Sequence, residues 1–389
     1  MRILHTSDWH LGRSFHREGL LGHQAAYADH LLEVVESEKV DLVVVSGDVY
    51  DRALPPVDAV RLANETFTRI ARSRARLVVT SGNHDSAQRL GFGSELIDAA
   101  GVHIRTSASS VGTPVIVDDE HGPVAVYGLP YLDPDLVREP WALPGRSHQA
   151  ALVEAMRRVN ADRAARPGVR SVAMAHAFVS PTAGALVESD SERDISVGGV
   201  SMVPTDVFDG MDYVALGHLH GRHTLSDSIR YSGSPLAYSF SETDHRKGSW
   251  LVELDAQGFS TAEFVDAPVP RRLARITGTV EDLLEDRALS RHEDAWVQAT
   301  LTDDIRPSAA MERLRRRFPH TLVLSFAPAN GSRSGLPSAR LAPGRSDHDI
   351  ALDFVDELRG RKASDAESAL LRDACDSCSP DRDLDTVVG

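Results

Sequence analysis

Five short segments of this 389-residue chain carry side chains of the types that bind transition-metal ions. Histidine, aspartate and asparagine occur together in these segments, whereas the two cysteines lie near the carboxyl end. Imidazole, carboxylate and amide ligands without thiolate suit Mn²⁺, Fe²⁺ or Zn²⁺ in a catalytic centre and argue against a structural zinc site. The segments are Asp8-Trp9-His10, Gly47-Asp48, Gly82-Asn83-His84-Asp85, His176 and Gly217-His218-Leu219-His220.

These residue types together predict the hydrolysis of a phosphoester by two metal ions. Two cations held roughly 3.5–4 Å apart need one carboxylate that can bridge them, and Asp48 is suited to that role. Such a pair of ions lowers the pKa of a water molecule and neutralises the phosphoryl oxygens during in-line attack.

The position of the segments supports this interpretation more than any one segment does. A lone histidine is more often a packed or surface residue than a ligand, and Gly-Asp is common in turns. Here, however, each segment follows an apolar run that is predicted to be a strand, such as 2–7 before Asp8 and 41–46 before Gly47-Asp48. Open α/β sheets place their ligands at the carboxyl ends of strands, so we expect the five segments to meet at one sheet edge.

Strands alternate with helices along the first 270 residues, which predicts an α/β layered fold with some antiparallel pairing. Amphipathic helices are predicted at 22–38, 56–72 and 148–165. Beyond the two strands already named, strands are predicted at 76–81, 123–128, 170–176, 212–217, 228–232, 249–254 and 261–265.

A change of composition after Pro268-Val269-Pro270 marks a domain boundary. Residues 271–328 are expected to form a small α/β unit, followed by a Gly/Pro/Ser-rich linker over 329–346. Residues 347–378 are expected to form two short amphipathic helices, and 379–389 a tail. These helices either pack on the main body or dock a partner protein, and we favour docking.

The bulk composition limits the classes of protein to which the chain can belong. No apolar run reaches the roughly 18 residues that a membrane-spanning helix needs, and no signal segment is recognisable, so we expect a cytoplasmic protein. A net charge of −15 argues against nucleic-acid binding over the whole surface. A DNA-binding surface would therefore be local, and the candidate basic clusters are Arg271, Arg272 and Arg275, and Arg306, Arg313, Arg315, Arg316 and Arg317.

The order D-x-H, GD, GNHD, H, G-H-x-H resembles the calcineurin-like metallophosphoesterase superfamily. The stretch from Val214 to Glu242 (VALGHLH…RYSGSPLAYSFSE) resembles the SbcD family of bacterial exonuclease subunits. The resemblance implies a four-layer α/β/β/α sandwich over 1–270 with a capping, DNA-selecting domain over 271–328. It implies one ion held by Asp8, His10, Asp48 and His220, and a second held by Asp48, Asn83, His176 and His218.

The resemblance also implies that His84 stabilises the substrate phosphate and protonates the leaving 3′ oxygen. Asp51 could accept a hydrogen bond from His84 and fix its tautomer. The segment Gly47 to Arg52 has the phosphatase pattern GDxxDR, whereas more distant nuclease relatives carry histidine at the Asp51 position. Arg13 and Arg52 are candidates for contact with the substrate backbone.

The function implied is that of a 3′–5′ double-strand DNA exonuclease and hairpin endonuclease of DNA repair, recombination and replication. It would use Mn²⁺, act with an SbcC-like ATPase through the base of that partner's coiled coil, and form a homodimer through helices near 56–72 and 88–100. The enzymatic alternative is a metallophosphatase acting on phosphoproteins or small phosphoesters. A non-catalytic scaffold is the other alternative, but it should have substituted ligands, and none of the seven is substituted.

Overall fold

The computed structural model describes residues 1–182, 184–186, 188–196, 202–328, 346–359 and 361–378. The predicted tail (379–389) and all but the last residue of the predicted linker (329–346) lie outside the described residues. The chain forms two compact units, Met1–Leu273 and Ala274–Gly389.

Seventeen strands and ten α-helices are present in the described residues. The strands are β1 (Arg2–Thr6), β2 (Ser14–Phe15), β3 (Glu18–Gly19), β4 (Leu42–Ser46), β5 (Arg76–Thr80), β6 (Val102–Arg105), β7 (Val115–Asp119), β8 (Gly122–Gly128), β9 (Arg170–His176), β10 (Tyr213–Gly217), β11 (His223–Thr224), β12 (Ile229–Tyr231), β13 (Gly248–Asp255), β14 (Gly258–Asp266), β15 (Leu273–Gly278), β16 (Trp296–Leu301) and β17 (Thr321–Phe326). The helices are α1 (Leu21–Ser37), α2 (Val57–Arg72), α3 (Ala87–Leu90), α4 (Ser94–Ile97), α5 (Pro134–Val137), α6 (His148–Ala164), α7 (Val280–Glu285), α8 (Ala310–Arg317), α9 (Asp347–Arg359) and α10 (Asp365–Cys378).

Two six-stranded sheets form the first unit. The first has the order β14-β13-β1-β4-β5-β6, and the second has the order β11-β12-β10-β9-β8-β7. The central strands of each sheet run parallel, namely β1, β4, β5 and β6 in one and β8, β9, β10 and β12 in the other. Their carboxyl ends therefore lie at the same edge of each sheet.

The two sheets pack face to face, and helices cover their outer faces. Along β4, Leu42 and Val44 belong to the core between the sheets, while Val43 and Val45 pack against the residues of α1 and α2. Alternate residues of a strand point to opposite faces, so an uninterrupted apolar run marks a strand that is buried on both sides. Helix α6 covers the second sheet in the same way. The predicted α/β/β/α sandwich is confirmed.

Several short elements differ from the prediction. Strands β6, β7 and β11 and the β2–β3 hairpin were not expected from the sequence. The helix expected near 88–100 is broken into α3, α4 and the 3-10 turn Asp98–Ala100. Gly91 ends α3, and Gly93 precedes α4 with a φ of 74°, which only glycine adopts without strain.

The second unit contains a three-stranded sheet, β15-β16-β17, with α7 and α8 packed on it around Val297, Leu314 and Phe318. Helices α9 and α10 contact each other: the ring of His348 bonds the carbonyl of Ser368 at 2.9 Å. Among the described residues, no helix is both long and apolar enough to cross a membrane.

Candidate metal centre

The predicted ligands lie at or just beyond the carboxyl ends of three parallel strands of one sheet and two of the other. Six of the seven side chains are buried, and Asn83 is partly exposed. Asp8 and His10 follow β1, Asp48 follows β4, Asn83 follows β5, His176 ends β9, and His218 and His220 follow β10. The structure therefore brings the five segments of the sequence to one region between the two sheets.

The backbone is strained at several of these residues. Nine described non-glycine residues have a positive φ, and four of them are predicted ligands: Asp8 (54°), His10 (46°), Asp48 (50°) and His218 (104°). Such conformations cost about 1–3 kcal/mol each and cluster at functional sites, which supports a functional role for this region.

Glycines beside the ligands allow the close approach of the chain. A Cβ atom built on Gly82 would overlap the carboxylate of Asp48, and one built on Gly47 would overlap the ring of His176. The glycines of the GD and GNHD motifs are therefore required by contact with the ligand side chains.

One group of ligand atoms belongs to Asp8, His10 and His220, all within 4.8 Å of one another. The Nε2 atoms of His10 and His220 face each other at 3.1 Å. Nδ1 of His10 is buried and has no hydrogen-bond partner among the described residues. Two imidazole nitrogens at this separation fit two ligands of one cation, which would accept both lone pairs.

A second group belongs to Asp8, Asp48 and His176. Nδ1 of His176 donates to the carbonyl of Ser46 at 2.9 Å, which leaves Nε2 as the ligand atom. That Nε2 lies 2.9 Å from Oδ1 of Asn83 and 3.5 Å from Oδ2 of Asp48. Burial lowers the pKa of His176, but the Asp48 carboxylate outweighs burial and raises the pKa to about 9. The surroundings of this nitrogen thus favour a positive charge, which a metal ion would supply.

His218 is placed differently from the other histidines. Its backbone N–H donates to the carboxylate of Asp8 at 3.1 Å, and its Nε2 lies 2.9 Å from Oε1 of Glu188. Its ring lies beside that of His176 at 5.5 Å between centroids, but it is not in any of the ligand-atom groups within 4.8 Å. Its Nδ1 is therefore the nitrogen that is left for a metal.

His84 is attached to the same region through its backbone and its ring. Its N–H donates to Oδ1 of Asp48 at 2.9 Å, and its Nδ1 donates to the carbonyl oxygen of Asp51 at 2.8 Å. The expected contact with the Asp51 carboxylate is thus wrong, because the backbone carbonyl occupies that place. The carboxylate lies 3.5 Å from Arg13 and 3.9 Å from Nδ1 of His10 instead.

The two arginines predicted to bind substrate differ in exposure. The side chain of Arg13 is 17% exposed, donates to the carbonyl of Ser191 at 2.9 Å and lies over the ring of Tyr238. The side chain of Arg52 is 68% exposed and bonds only weakly to Asp51, at 3.4 Å. Arg52 is therefore the one whose guanidinium faces solvent.

Three groups around the ligands were not predicted from the sequence. Asp85 accepts hydrogen bonds from the N–H groups of Gly82, Val49 and Tyr50 at 3.0, 3.1 and 2.9 Å, which ties the GNHD loop to the GD loop. An aspartate that ends a motif of turn residues could have signalled this role. The other two groups are the pair Glu242–Lys247 and the segment Glu188 to Glu192.

Glu242 and Lys247 form a buried ion pair next to His220. Nζ of Lys247 also donates to the carbonyl of His220 at 2.8 Å and to Ser234 at 2.9 Å. Burial raises the pKa of Glu242, but the charge of Lys247 and the hydrogen bond of His220 outweigh burial and hold the pKa well below its usual range. Glu242 lies at the end of the family-like stretch, but its partners could not be read from the sequence.

Burial dominates the pKa of two of the predicted ligands, Asp8 and His10. Burial raises the pKa of Asp8 to about 7, with the nearby Asp48 charge adding to the effect of burial. Burial also lowers the pKa of His10 well below its usual value. An aspartate that resists ionisation (Asp8) and an imidazole that resists protonation (His10) fit a site in which divalent cations provide the missing positive charge.

The chain is similar in sequence to known families and to a known nuclease subunit. The family model described as "Calcineurin-like phosphoesterase" matches residues 1–222, and the model described as "Type 5 capsule protein repressor C-terminal domain" matches residues 269–351. The chain is 33% identical over 331 residues to the SbcD subunit of the nuclease SbcCD of Staphylococcus saprophyticus, covering 84% of each chain.

Similar solved structures include TT1561 of Thermus thermophilus, at 14% identity and a TM-score of 0.40, covering 68% of this chain and 98% of that one. They also include GAP50 of the inner membrane complex of Plasmodium, at 9% identity and a TM-score of 0.41, covering 85% of this chain and 98% of that one.

Proposed function

This chain belongs to the calcineurin-like phosphoesterase family, and we propose that it is the nuclease subunit of an SbcC–SbcD-type complex that hydrolyses DNA phosphodiester bonds with two divalent metal ions. The alignment with the SbcD subunit of Staphylococcus saprophyticus covers 84% of each chain. The family match to residues 269–351 extends the similarity beyond the catalytic unit. The proposal covers the 3′–5′ cleavage of double-stranded ends, the opening of hairpins and a cytoplasmic location.

The observation that carries the proposal is the meeting of the five segments in one region, at the carboxyl ends of parallel strands from both sheets. Asp8, His10, Asp48 and His220 would hold one ion, and Asp48, Asn83, His176 and His218 the other. Bound divalent ions would stabilise negative charge on the phosphoryl oxygens and lower the pKa of an attacking water. Mn²⁺ is the proposed ion, as the family resemblance implies, and the mixed nitrogen and oxygen ligands are compatible with it, as they are with Fe²⁺ or Zn²⁺.

His84 would act on the leaving group. Its Nδ1 is held by the carbonyl of Asp51, so Nε2 is the nitrogen that can carry a proton towards the leaving 3′ oxygen. Its backbone N–H stays on Asp48, which keeps the ring next to the ligands. Arg52, with its exposed guanidinium, would contact a phosphate of the DNA backbone.

Binding of DNA by this chain alone should be weak, because its net charge is −15. The arginine run of α8 is also engaged within its own unit. Arg313 pairs with Glu281 at 2.7 Å, and Arg317 pairs with Glu293 at 3.1 Å. We therefore propose that the complex with an SbcC-like ATPase binds DNA more tightly than this chain does alone.

Two surfaces are proposed for assembly. The exposed apolar residues Leu54, Val57, Phe92 and Leu96 lie in or beside α2, α3 and α4, the region proposed for homodimer formation. Helices α9 and α10 expose Phe354 and Leu370 and are proposed to bind the base of the ATPase coiled coil. Removal of residues 341–389 should abolish co-purification with that ATPase, and unchanged association would refute the assignment.

The nuclease proposal is tested by comparing two substrates in the presence of Mn²⁺. Linear duplex DNA labelled at its 3′ or 5′ end should be shortened from the 3′ end, and the activity should disappear with a chelator. Efficient hydrolysis of p-nitrophenyl phosphate without cleavage of DNA, also in the presence of the ATPase, would favour the metallophosphatase alternative instead.

A further inference from the structure

The segment Glu188-Ser189-Asp190-Ser191-Glu192, here called the strap, contacts both histidines of the turn after β10. Oε1 of Glu188 lies 2.9 Å from Nε2 of His218. Oγ of Ser191 lies 2.7 Å from Nδ1 of His220. The carboxylate of Glu192 accepts a hydrogen bond from the backbone N–H of His220. Three side chains of one short segment thus hold the two histidines.

The contacts engage a different ring nitrogen in each histidine. A neutral imidazole donates from one nitrogen and offers a lone pair on the other, so the partner of the first nitrogen decides which one can bind a metal. Glu188 engages Nε2 of His218 and leaves Nδ1, whereas Ser191 engages Nδ1 of His220 and leaves Nε2. The nitrogen left on His220 is the one that faces Nε2 of His10 at 3.1 Å.

The Ser191 contact continues into a directed chain of hydrogen bonds. Ser191 accepts from His220 and donates its own proton to Oε1 of Glu242, whose other oxygen pairs with Lys247. The side chains of Ser191 and Glu242 are buried. Nδ1 of His220 also lies 3.4 Å from the same oxygen of Glu242. Because both of its neighbours accept, the proton of His220 lies on Nδ1, and the hydrogen bonds fix the tautomer as well as the orientation of the ring.

We propose that the strap is a positioning element of the metal centre, in which Glu188 orients His218 for one ion and Ser191 orients His220 for the other. The inference rests on the proposed two-metal function and adds residues that the ligand motifs do not contain. Partners of this kind typically change metal affinity by about 10–100-fold when they are removed.

The strap also offers a control within itself. The side chain of Asp190 is exposed, and its residue is held through its backbone N–H, which donates to Ser241 at 3.0 Å. Asp190→Ala and Glu188→Ala remove the same charge from the same segment, but only Glu188 contacts a predicted ligand. The contact of Arg13 with the Ser191 carbonyl should keep the strap in place in both variants.

The test measures Mn²⁺ binding to metal-free protein by titration calorimetry and electron paramagnetic resonance. Wild type should bind two ions. Glu188→Ala and Ser191→Ala should each weaken the binding of one ion by about 10–100-fold, while the metal-free proteins still fold and melt in a single transition. Asp190→Ala should bind both ions like wild type, and Glu188→Gln, which keeps an acceptor oxygen, should recover part of the loss.

Double variants show whether the strap acts through the histidines. Glu188→Ala should cause no further loss of Mn²⁺ affinity when His218 is already replaced by alanine. In the same way, Ser191→Ala should cause no further loss when His220 is already replaced by alanine. Two results would overturn the strap inference and leave the proposed function standing. In the first, wild type binds two ions, and Glu188→Ala and Ser191→Ala bind Mn²⁺ as well as Asp190→Ala does. In the second, the two variants lose the same Mn²⁺ affinity in the histidine variants as in wild type. If wild type binds no Mn²⁺, the proposed function itself fails.

Discussion

Replacing His84 with glutamine removes a proton donor from the site and leaves the backbone of residue 84 in place. The N–H of residue 84 would still donate to Asp48, so the Asp48 carboxylate should keep its orientation. The ring of His84 donates from Nδ1 to the Asp51 carbonyl, and the amide N–H of glutamine can reproduce this hydrogen bond. The variant should therefore fold and bind metal like wild type.

The expected cost falls on the chemical step. A positioned general acid contributes about 10²–10⁴-fold to the rate, which corresponds to about 2.7–5.5 kcal/mol at about 1.36 kcal/mol per tenfold change. Because the contact is made with the leaving oxygen, kcat should fall by that factor and KM for DNA should change little.

The assay pairs cleavage of labelled duplex DNA with the metal content of the purified variant. His121→Gln is the matched control, since His121 lies in the turn before β8, at the opposite end of the parallel strands from the ligands. Asp51→Asn should keep the tautomer of His84, since the contact uses the backbone carbonyl.

Loss of an ion from the His84→Gln protein would refute this reasoning. One ring nitrogen of His84 lies within 4.8 Å of a ring nitrogen of His10 and a carboxylate oxygen of Asp48, so a role as a metal ligand is the specific alternative. A variant that retains both ions and full kcat would equally refute the role of His84 as the acid.

Three further outcomes are expected. Gly82→Ala should reduce metal content and activity by more than about tenfold, because its Cβ would displace the carboxylate of Asp48; atomic absorption and cleavage assays measure this. Asp85→Asn replaces one of the acceptor oxygens by a donor facing backbone N–H groups, so the free energy of unfolding in denaturant should fall by about 1–3 kcal/mol. Burial raises the pKa of Asp119, but its hydrogen bonds to Arg170 outweigh burial and lower the pKa. The Asp119–Arg170 pair therefore stabilises the fold above about pH 4, and this stabilisation is lost as the pH falls further. Asp119→Ala should lose roughly 3 kcal/mol at pH 7 and show a flatter acid denaturation curve than wild type; equal slopes would contradict this sign.

The sequence alone determined most strands of the two sheets, including the five that precede the predicted ligands, and the residues that follow those strands. An apolar run such as Leu42 to Val45 can be buried on both faces only in a sheet that is covered on both sides, so the layered fold follows from local pattern. Because parallel strands share an edge, the types and positions of the residues after them also predicted the metal centre.

Only the tertiary structure decided how each ligand is held. The carbonyl rather than the carboxylate of Asp51 contacts His84, because the path of the backbone after Asp48 sets which atom comes closest. The strap is a polar loop without periodicity, and its partners lie between 28 and 178 residues away along the chain. Hydrogen bonds between such distant segments depend on how the sheets and loops pack, and no local pattern encodes them. The choice of ring nitrogen in His218 and His220 is therefore a property of the fold and not of their motif.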